Sequence, residues 1–235
     1  MPKSSRELLL AMALRLEPLL PEIVFLGGCA TVLLVTDTGA SPTRVTYDVD
    51  IIVEVGSRAE YYRFSERLRK LGFSEDATEG APICRWTHES MKLDVMPIDP
   101  RILGFSNRWY EDALTFADRI ALGELELRVV TAPHFIGTKL EAFKGRGNGD
   151  LVASHDLEDI VTVLDGRPTL IEEIERSEPR LQEYIADEFT RLLRSPGFID
   201  AVSGHMPGDE ISQARVPKIL ERIARLQTKP QQRTS

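Results

Sequence analysis

The stretch Arg44-Val-Thr-Tyr-Asp-Val-Asp-Ile-Ile-Val-Glu-Val55 contains the pattern on which the interpretation of the whole chain depends. From Thr46 onward the side chains alternate, so Thr46, Asp48 and Asp50 face one side of a predicted strand. Tyr47 and the aliphatic residues face the other side. Two carboxylates that close repel each other unless a cation lies between them. The pattern therefore favours a shared divalent metal ion, although alternating acids are also typical of a solvated strand face.

Two further elements point to the same chemistry. A second short strand is predicted over Met91-Lys-Leu-Asp-Val-Met96, with Asp94 on its polar face. Carboxylates on neighbouring strands suit Mg²⁺, which keeps its remaining positions for water and substrate phosphate. Upstream, Gly27 and Gly28 follow a predicted buried strand over residues 23–26 and permit close approach of a ligand to the backbone. The free amides of the next helix would face phosphate, so nucleotide chemistry is indicated.

Composition limits the class of protein. The chain has 235 residues, of which 42% are hydrophobic, which is enough for a substantial core. A formal net charge of −8 argues against a chain-wide basic surface for nucleic acid. Cys29 and Cys84 are too few for a disulfide framework, which fits a reducing compartment. The absence of a long apolar run and of a signal-peptide pattern predicts a cytoplasmic protein with no membrane segment.

The order of predicted elements indicates two domains. Helices, strands and hairpins alternate through an α/β core over residues 1–130. A helical domain is predicted over residues 131–228, followed by a disordered polar tail over 229–235. The predicted elements are a helix from Ser4 to about Glu17, a helix over 29–35, a helix over 58–71, hairpins over 83–98 and 115–130, and helices over 131–144, 155–164, 179–194 and 216–226.

These elements, taken in order, resemble a known family. The Gly-Gly turn, the Arg-x-Thr-x-Asp-x-Asp strand at 44–50 and the separate strand residue Asp94 resemble the polymerase-β-like nucleotidyltransferase superfamily, and the 44–50 form resembles its AbiEii/AbiGii toxin branch. The resemblance covers roughly residues 20–165 and implies an α+β fold, a mixed sheet flanked by helices, with a helical C-terminal region. Nineteen residues separate the glycine pair from the first strand aspartate, so the loop 36–43 is interpreted as an insertion whose role stays open.

The resemblance also implies roles for the residues of the core. It assigns two Mg²⁺ ions to Asp48, Asp50 and Asp94, and gives Asp94 a further role as general base toward the acceptor hydroxyl. Arg44 would steady the γ-phosphate of the nucleotide, although a salt bridge at the strand edge explains this arginine equally well. Contacts with the nucleotide are assigned to Gly27, Gly28, Arg44 and Thr46.

The helical half carries three more residues that match the family. Lys139, followed three residues later by Ala142, corresponds to a lysine that binds triphosphate; the alternative is a surface lysine. Asp156 and Asp159 lie on one helical face and match the family's nucleotide-binding Asp-x-x-Asp. His155 stands where the family usually has a basic residue, which departs from the pattern.

The implied reaction moves an NMP from an NTP to an acceptor hydroxyl. Toxins of the resembled branch modify the 3′ end of tRNA and are made with an antitoxin. Lys144 and Arg146, in a glycine-rich basic stretch, are predicted to bind the acceptor, or else only connect two helices. Two other functions stay open: a small-molecule nucleotidyltransferase of the aminoglycoside type, and a non-catalytic nucleotide-binding or partner-binding module.

Overall fold

The computed structural model describes residues 4–146 and 149–227. Within them the chain divides into two compact units. The first contains the described residues up to Leu34 together with Thr43–Thr138, and the second contains Val35–Pro42 together with those from Lys139 onward. The loop interpreted as an insertion therefore belongs almost entirely to the second unit.

The predicted domain division at residue 130 differs from this arrangement, because the compact units divide between Thr138 and Lys139. The division into a catalytic core and a helical domain stays a prediction about function. The tail predicted over 229–235 lies outside the described residues.

The described part of the first unit has one mixed sheet of seven strands, in the order β3-β4-β5-β2-β1-β7-β6. β2 runs parallel to β5 and antiparallel to β1, while β1 runs parallel to β7. β4 with β5 and β6 with β7 are antiparallel hairpins, and β3 pairs antiparallel with β4 at the edge of the sheet. The strands are β1 (Ile23–Leu26), β2 (Asp48–Val53), β3 (Ser74–Glu75), β4 (Arg85–His88), β5 (Met91–Pro97), β6 (Asp118–Leu122) and β7 (Leu125–Val129).

Apolar side chains of one face of this sheet pack in the main core of the first unit, and the acids lie on the opposite face. Val49, Ile51 and Val53 of β2 are buried in the same core as Leu93 and other apolar side chains of the neighbouring strands and helices. Because side chains alternate along a strand, burying these residues directs the acids between them to the opposite face. The helices of the first unit are α1 (Ser5–Arg15), α2 (Gly27–Leu34), α3 (Arg58–Lys70), α4 (Pro100–Leu103) and α5 (Tyr110–Thr115), with a 3₁₀ segment over Glu17–Glu22.

Serine residues precede two of these helices. The hydroxyl of Ser4 accepts from the backbone N–H of Glu7, and that of Ser57 accepts from Glu60 in the same way. Each bond satisfies one of the backbone donors that a helix start leaves without an internal partner.

The second unit is helical in its described residues. The helix α6 (Ala132–Arg146) begins in the first unit and continues into the second. The others are α7 (His155–Gly166), α8 (Leu170–Glu175), α9 (Pro179–Leu193), α10 (Phe198–Gly204), α11 (Glu210–Gln213) and α12 (Val216–Arg225). These findings confirm the α+β class, with a mixed sheet flanked by helices and a helical C-terminal region.

The segment Val35–Pro42 is fixed to the end of α7 by an arginine. Arg215 donates from Nε to Asp165 at 2.6 Å and from Nη2 to Asp37 at 2.7 Å. The backbone N–H groups of Thr36 and Asp37 donate to the carbonyl of Gly166 at 2.8 and 2.9 Å. The loop therefore contributes its backbone and one carboxylate to the folding of the second unit.

Several predicted bounds were wrong by a few residues. The strand predicted from Thr46 begins at Asp48 instead, and Tyr47, placed on the core face, is 77% exposed. The hairpin predicted over 115–130 begins three residues later, because α5 occupies Tyr110–Thr115 and the first strand spans Asp118–Leu122. Among the residues that the structure describes, no helix combines the length and apolar character needed to cross a membrane.

Candidate active site

Four polar side chains form a row across three adjacent strands, and we call them the acid row: Asp48, Asp50, Asp94 and Arg85. Strand pairing places Asp50 opposite Asp94, and Asp94 opposite Arg85. Directly paired residues project from the same face of a sheet, and Asp48 shares that face because it lies two residues before Asp50. The register therefore brings the three predicted acids to one face.

Arg85 joins two of these acids. Its Nε and Nη2 donate to the two carboxylate oxygens of Asp94, each at 2.7 Å, and Nη2 also donates to Oδ2 of Asp48 at 2.8 Å. The Asp94 side chain is 10% exposed and that of Arg85 16%, whereas Asp48 is 39% exposed. The hydrogen bonds to Asp94, together with the nearby charges of Asp94 and Asp48, raise the pKa of Arg85 above its ordinary value.

This arrangement alters the prediction of a metal site. Within residues 4–146 and 149–227, no group of three His, Cys, Asp or Glu side chains is arranged to hold a metal ion. The donor chemistry of the three acids fits Mg²⁺, and their strand positions bring them together. The cation that joins Asp48 and Asp94 in the structure is nevertheless a guanidinium, that of Arg85.

The sequence interpretation did not identify Arg85 as part of the site. Arg85 and Thr87 alternate with the buried Trp86, a signal that places the arginine on the polar face of its strand. Its pairing with Asp48, 37 residues away in sequence, depends on the order of strands in the sheet. That order was not deducible from the periodicity of β4 alone.

The glycine pair at the start of α2 lies directly against this site. Gly27 has φ of +71°, and a Cβ atom built on it would lie 1.7 Å from Oδ2 of Asp50. A Cβ atom at Gly28 would lie 2.4 Å from Nη2 of Arg44 and 2.8 Å from Cγ2 of Thr46. Any larger residue would therefore displace the side chains that were predicted to bind metal and nucleotide.

Thr46 is more buried than Asp48 and Asp50, which were predicted to share its strand face. It is buried, its backbone N–H donates to the hydroxyl of Ser5 at 3.3 Å, and its own hydroxyl donates to the same oxygen at 3.4 Å. Ser5 also donates to the carbonyl of Arg44 at 3.2 Å. These bonds tie the chain before β2 to the start of α1, so Thr46 positions the strand entry in this structure.

The two cysteines are buried beside the acid row. Burial raises the pKa of Cys29 to about 12, where the charges of Asp50 and Asp48 act in the same direction against a hydrogen bond with Thr46. Burial, followed by the charges of Asp94 and Asp50, also raises the pKa of Cys84 to about 12. Both thiols stay protonated at neutral pH, which excludes a thiolate nucleophile there. Cys29 is fully buried and packs in the core of the first unit.

In the second unit the predicted nucleotide ligands form a cluster that we call the buried triad: Lys139, Asp156 and Asp159. The lysine Nζ lies 3.1 Å from Oδ1 of Asp156 and 2.6 Å from Oδ2 of Asp159. The side chains are 9%, 8% and 2% exposed, respectively. The alternative of a surface lysine is therefore wrong, and the three residues tie α6 to α7.

The predicted acceptor-binding residues lie at the end of α6. Lys144 is 49% exposed and its Nζ donates to Glu188 of α9 at 2.9 Å. The side chain of Arg146 lies outside the described residues. His155, which departs from the family pattern, has Nδ1 3.0 Å from a carboxylate oxygen of Glu158 and is exposed. The role of this region toward an acceptor stays a prediction.

Comparisons with known proteins were made by sequence and by structure. No family model and no curated protein matches the chain. Among solved structures it is similar to an antigenic nucleotidyltransferase-like protein from Paracoccidioides brasiliensis, with 18% identity, a TM-score of 0.48, and coverage of 86% of this chain and 93% of that one. It is also similar to a candidate nucleotidyltransferase from H. pylori, with 13% identity, a TM-score of 0.45, and coverage of 96% and 94%.

Proposed function

We propose that the chain is a Mg²⁺-dependent nucleotidyltransferase that moves an NMP from an NTP to an acceptor hydroxyl. The observation that carries the proposal is the placement of Asp48, Asp50 and Asp94 on one face of two paired parallel strands, with Gly27 against Asp50. Three carboxylates brought this close repel each other unless a cation lies among them, which supports a site that binds positive charge.

We assign a separate proposed role to each group of residues in the first unit. Asp48, Asp50 and Asp94 would hold the metal, which when bound neutralises phosphate charge and activates the acceptor hydroxyl. The turn at Gly27 and Gly28 lets a phosphate approach the backbone N–H groups at the start of α2. When the Arg85 side chain no longer donates to Asp94, the oxygens of that carboxylate can accept the proton of the acceptor hydroxyl.

Lys139 is proposed as a triphosphate ligand, as the family resemblance implies. In the structure both carboxylates of the buried triad bind the amino group of Lys139. A phosphate would bind this amino group only by replacing Asp156 or Asp159. A structural role for the triad requires no such exchange. Measuring the stability and the kinetics of a Lys139 variant distinguishes a nucleotide-binding role from a structural one.

The acceptor that we propose is the 3′ end of tRNA, with an antitoxin as the protein partner, by resemblance of the 44–50 strand to the toxin branch. The acidic net charge confines any RNA contact to a local basic surface. A small-molecule acceptor of the aminoglycoside type is the second enzymatic candidate, and a non-catalytic binding module is the third.

One experiment tests the reaction and the acceptor together. The protein is incubated with Mg²⁺ and each labelled NTP in turn, with total tRNA, with an aminoglycoside mixture, or with neither. Label in the RNA supports the proposal, and label in the small molecule supports the second candidate. Absence of transfer from all four NTPs to either acceptor would overturn the proposed reaction in favour of a binding module.

A further inference from the structure

The acid row contains its own cation. The guanidinium of Arg85 binds both oxygens of Asp94 and one oxygen of Asp48, the pair that the proposed function assigns to a divalent ion. A guanidinium and a carboxylate fit each other in this two-bond geometry, which is the strongest form of such an ion pair. The charge that stabilises the acids is therefore already present in the chain.

A divalent ion and this guanidinium exclude each other. Mg²⁺ needs carboxylate oxygens at about 2.0–2.1 Å in nearly octahedral geometry, and Arg85 engages three of the oxygens concerned. An ion bound among the same oxygens would also lie next to the guanidinium, and two cations repel each other. The row can hold one cation or the other, but both together are unfavourable.

We propose that Arg85 is a built-in counter-ion that closes the acid row, and that a divalent ion binds only after its side chain leaves Asp48 and Asp94. This inference rests on the proposed function, because it assumes that the acids bind a metal. Arg85 acts on metal binding through the acids and is a positioning residue. Its long stem permits the movement by side-chain rotation alone, and the half-exposed Asp48 lies on the open side of the row.

The effect on metal affinity follows from a two-state equilibrium. If the binding-competent form, with Arg85 displaced, is a fraction of the population, the apparent affinity falls by that fraction. A closed form that holds about nine molecules in ten would weaken binding about tenfold. Removing the guanidinium should therefore raise the apparent metal affinity by the same factor.

The experiment measures Mn²⁺ binding to the full chain without nucleotide, by the electron paramagnetic resonance signal of free Mn²⁺. Mn²⁺ shares the preference of Mg²⁺ for carboxylate oxygens. We expect Arg85→Gln to bind Mn²⁺ about tenfold or more tightly than wild type, and to melt at a lower temperature than wild type when metal is absent. Arg85→Lys keeps the positive charge but cannot donate two parallel hydrogen bonds to one carboxylate. Its Mn²⁺ affinity should therefore lie between those of wild type and Arg85→Gln. It also provides a folded variant should Arg85→Gln fail to fold.

A matched control is Arg67→Gln, which removes a two-bond pair between Arg67 and Glu22 on the surface of the same unit. Its Mn²⁺ affinity should equal that of wild type. Equal affinity in Arg85→Gln and wild type, or weaker binding in the variant, would overturn the role of Arg85 while leaving the proposed function intact. If neither wild type nor Arg85→Gln binds Mn²⁺ at millimolar concentrations, the metal site of the proposed function is itself wrong.

Discussion

The acid row and the buried triad both place one cation between two aspartates, yet they differ in exposure. The triad is almost fully enclosed, since its side chains are 9%, 8% and 2% exposed. The acid row is open at Asp48, which is 39% exposed. An enclosed ion pair is costly to break because a charge would be left buried without compensation. An ion pair that is open to water costs less to separate, so we expect the acid row to exchange its cation more readily than the triad.

The largest effect is expected when the acid row loses Asp50, the carboxylate against which Gly27 packs. Asp50→Asn should reduce nucleotidyl transfer by about 100-fold or more, because metal-assisted stabilisation contributes several kcal/mol. The variant should stay folded at the assay temperature, because Asn has nearly the size of Asp. Initial rates and thermal melts of the same preparation check both parts.

The exposed Glu54, just beyond β2, provides the matched control for this variant. Glu54→Gln should retain full activity. If Asp50→Asn loses activity only in proportion to a loss of folded protein, the acid row is structural, and its contrast with the buried triad disappears.

The next largest effect concerns stability and tests the enclosed side of the comparison. Lys139→Ala should lower the free energy of unfolding by about 3–5 kcal/mol, because two buried aspartates lose their cation. Urea denaturation measures it, with Lys144→Ala as the control. That lysine is half-exposed and Arg191 also pairs with its partner Glu188, so the control should lose less than about 1 kcal/mol.

The opposite result would be equally informative. If Lys139→Ala unfolds like wild type but has a raised KM for NTP and a lowered kcat, Lys139 binds the triphosphate and the triad opens during the reaction. The two clusters would then be alike in exchanging their cation, and the contrast drawn from exposure would be wrong.

A smaller effect is expected at the glycine turn, where shape matters more than charge. Gly27→Ala combines a left-handed backbone, φ +71°, with a Cβ atom 1.7 Å from Asp50 Oδ2. Gly80→Ala has a similar φ of +81° with no atom within 4 Å, so it isolates the backbone strain of about 1–2 kcal/mol. Gly27→Ala should cost more stability than this and should also lower nucleotidyl transfer, whereas Gly80→Ala should leave transfer unchanged. Equal losses of stability in the two variants would contradict the close packing of Gly27 on Asp50.

The smallest expected effect is a pH dependence in the second unit. Burial of Glu188 acts to raise its pKa, but hydrogen bonds from Lys144 and Arg191 outweigh burial and hold the pKa below the ordinary value of 4.5. A lowered folded-state pKa stabilises the fold at pH values above 4.5, and this contribution is lost as pH falls through the folded pKa. Urea denaturation of Glu188→Gln between pH 3 and 6 should show a flatter decline than wild type. Parallel curves would contradict the pairing.

Much of the fold was predictable because its signals are local. The serines before α1 and α3, the alternation in β2 and β5, and the glycine pair each act within a few residues. The placement of the three acids on one face follows from alternation combined with strand pairing. The role of Arg85 was not predictable, because the partner that neutralises Asp48 comes from a strand whose position only the complete sheet determines.

Contacts between distant segments are not visible in local sequence patterns. For this reason Lys139 was predicted to be a ligand and the role of the 36–43 loop stayed open. A lysine within a helix has the same local pattern whether it is exposed or enclosed, and only the packing of α7 against α6 decides. The loop has no periodicity of its own. Its anchor, Arg215, is distant in sequence, so no local rule connects the two.

The anchoring of Val35–Pro42 bears on how the chain matures during synthesis. Arg215 follows Asp37 by 178 residues, so at about 5–20 residues per second a ribosome adds the loop's anchor roughly 9–36 s after the loop itself. Throughout that interval the segment between α2 and β2 is without the arginine that fixes it. The polypeptide passes between the two units at residues 34–35, 42–43 and 138–139, so a single proteolytic cut cannot release all of the second unit as one fragment. Completion of the second unit is therefore a late event that recruits a piece of chain made near the beginning.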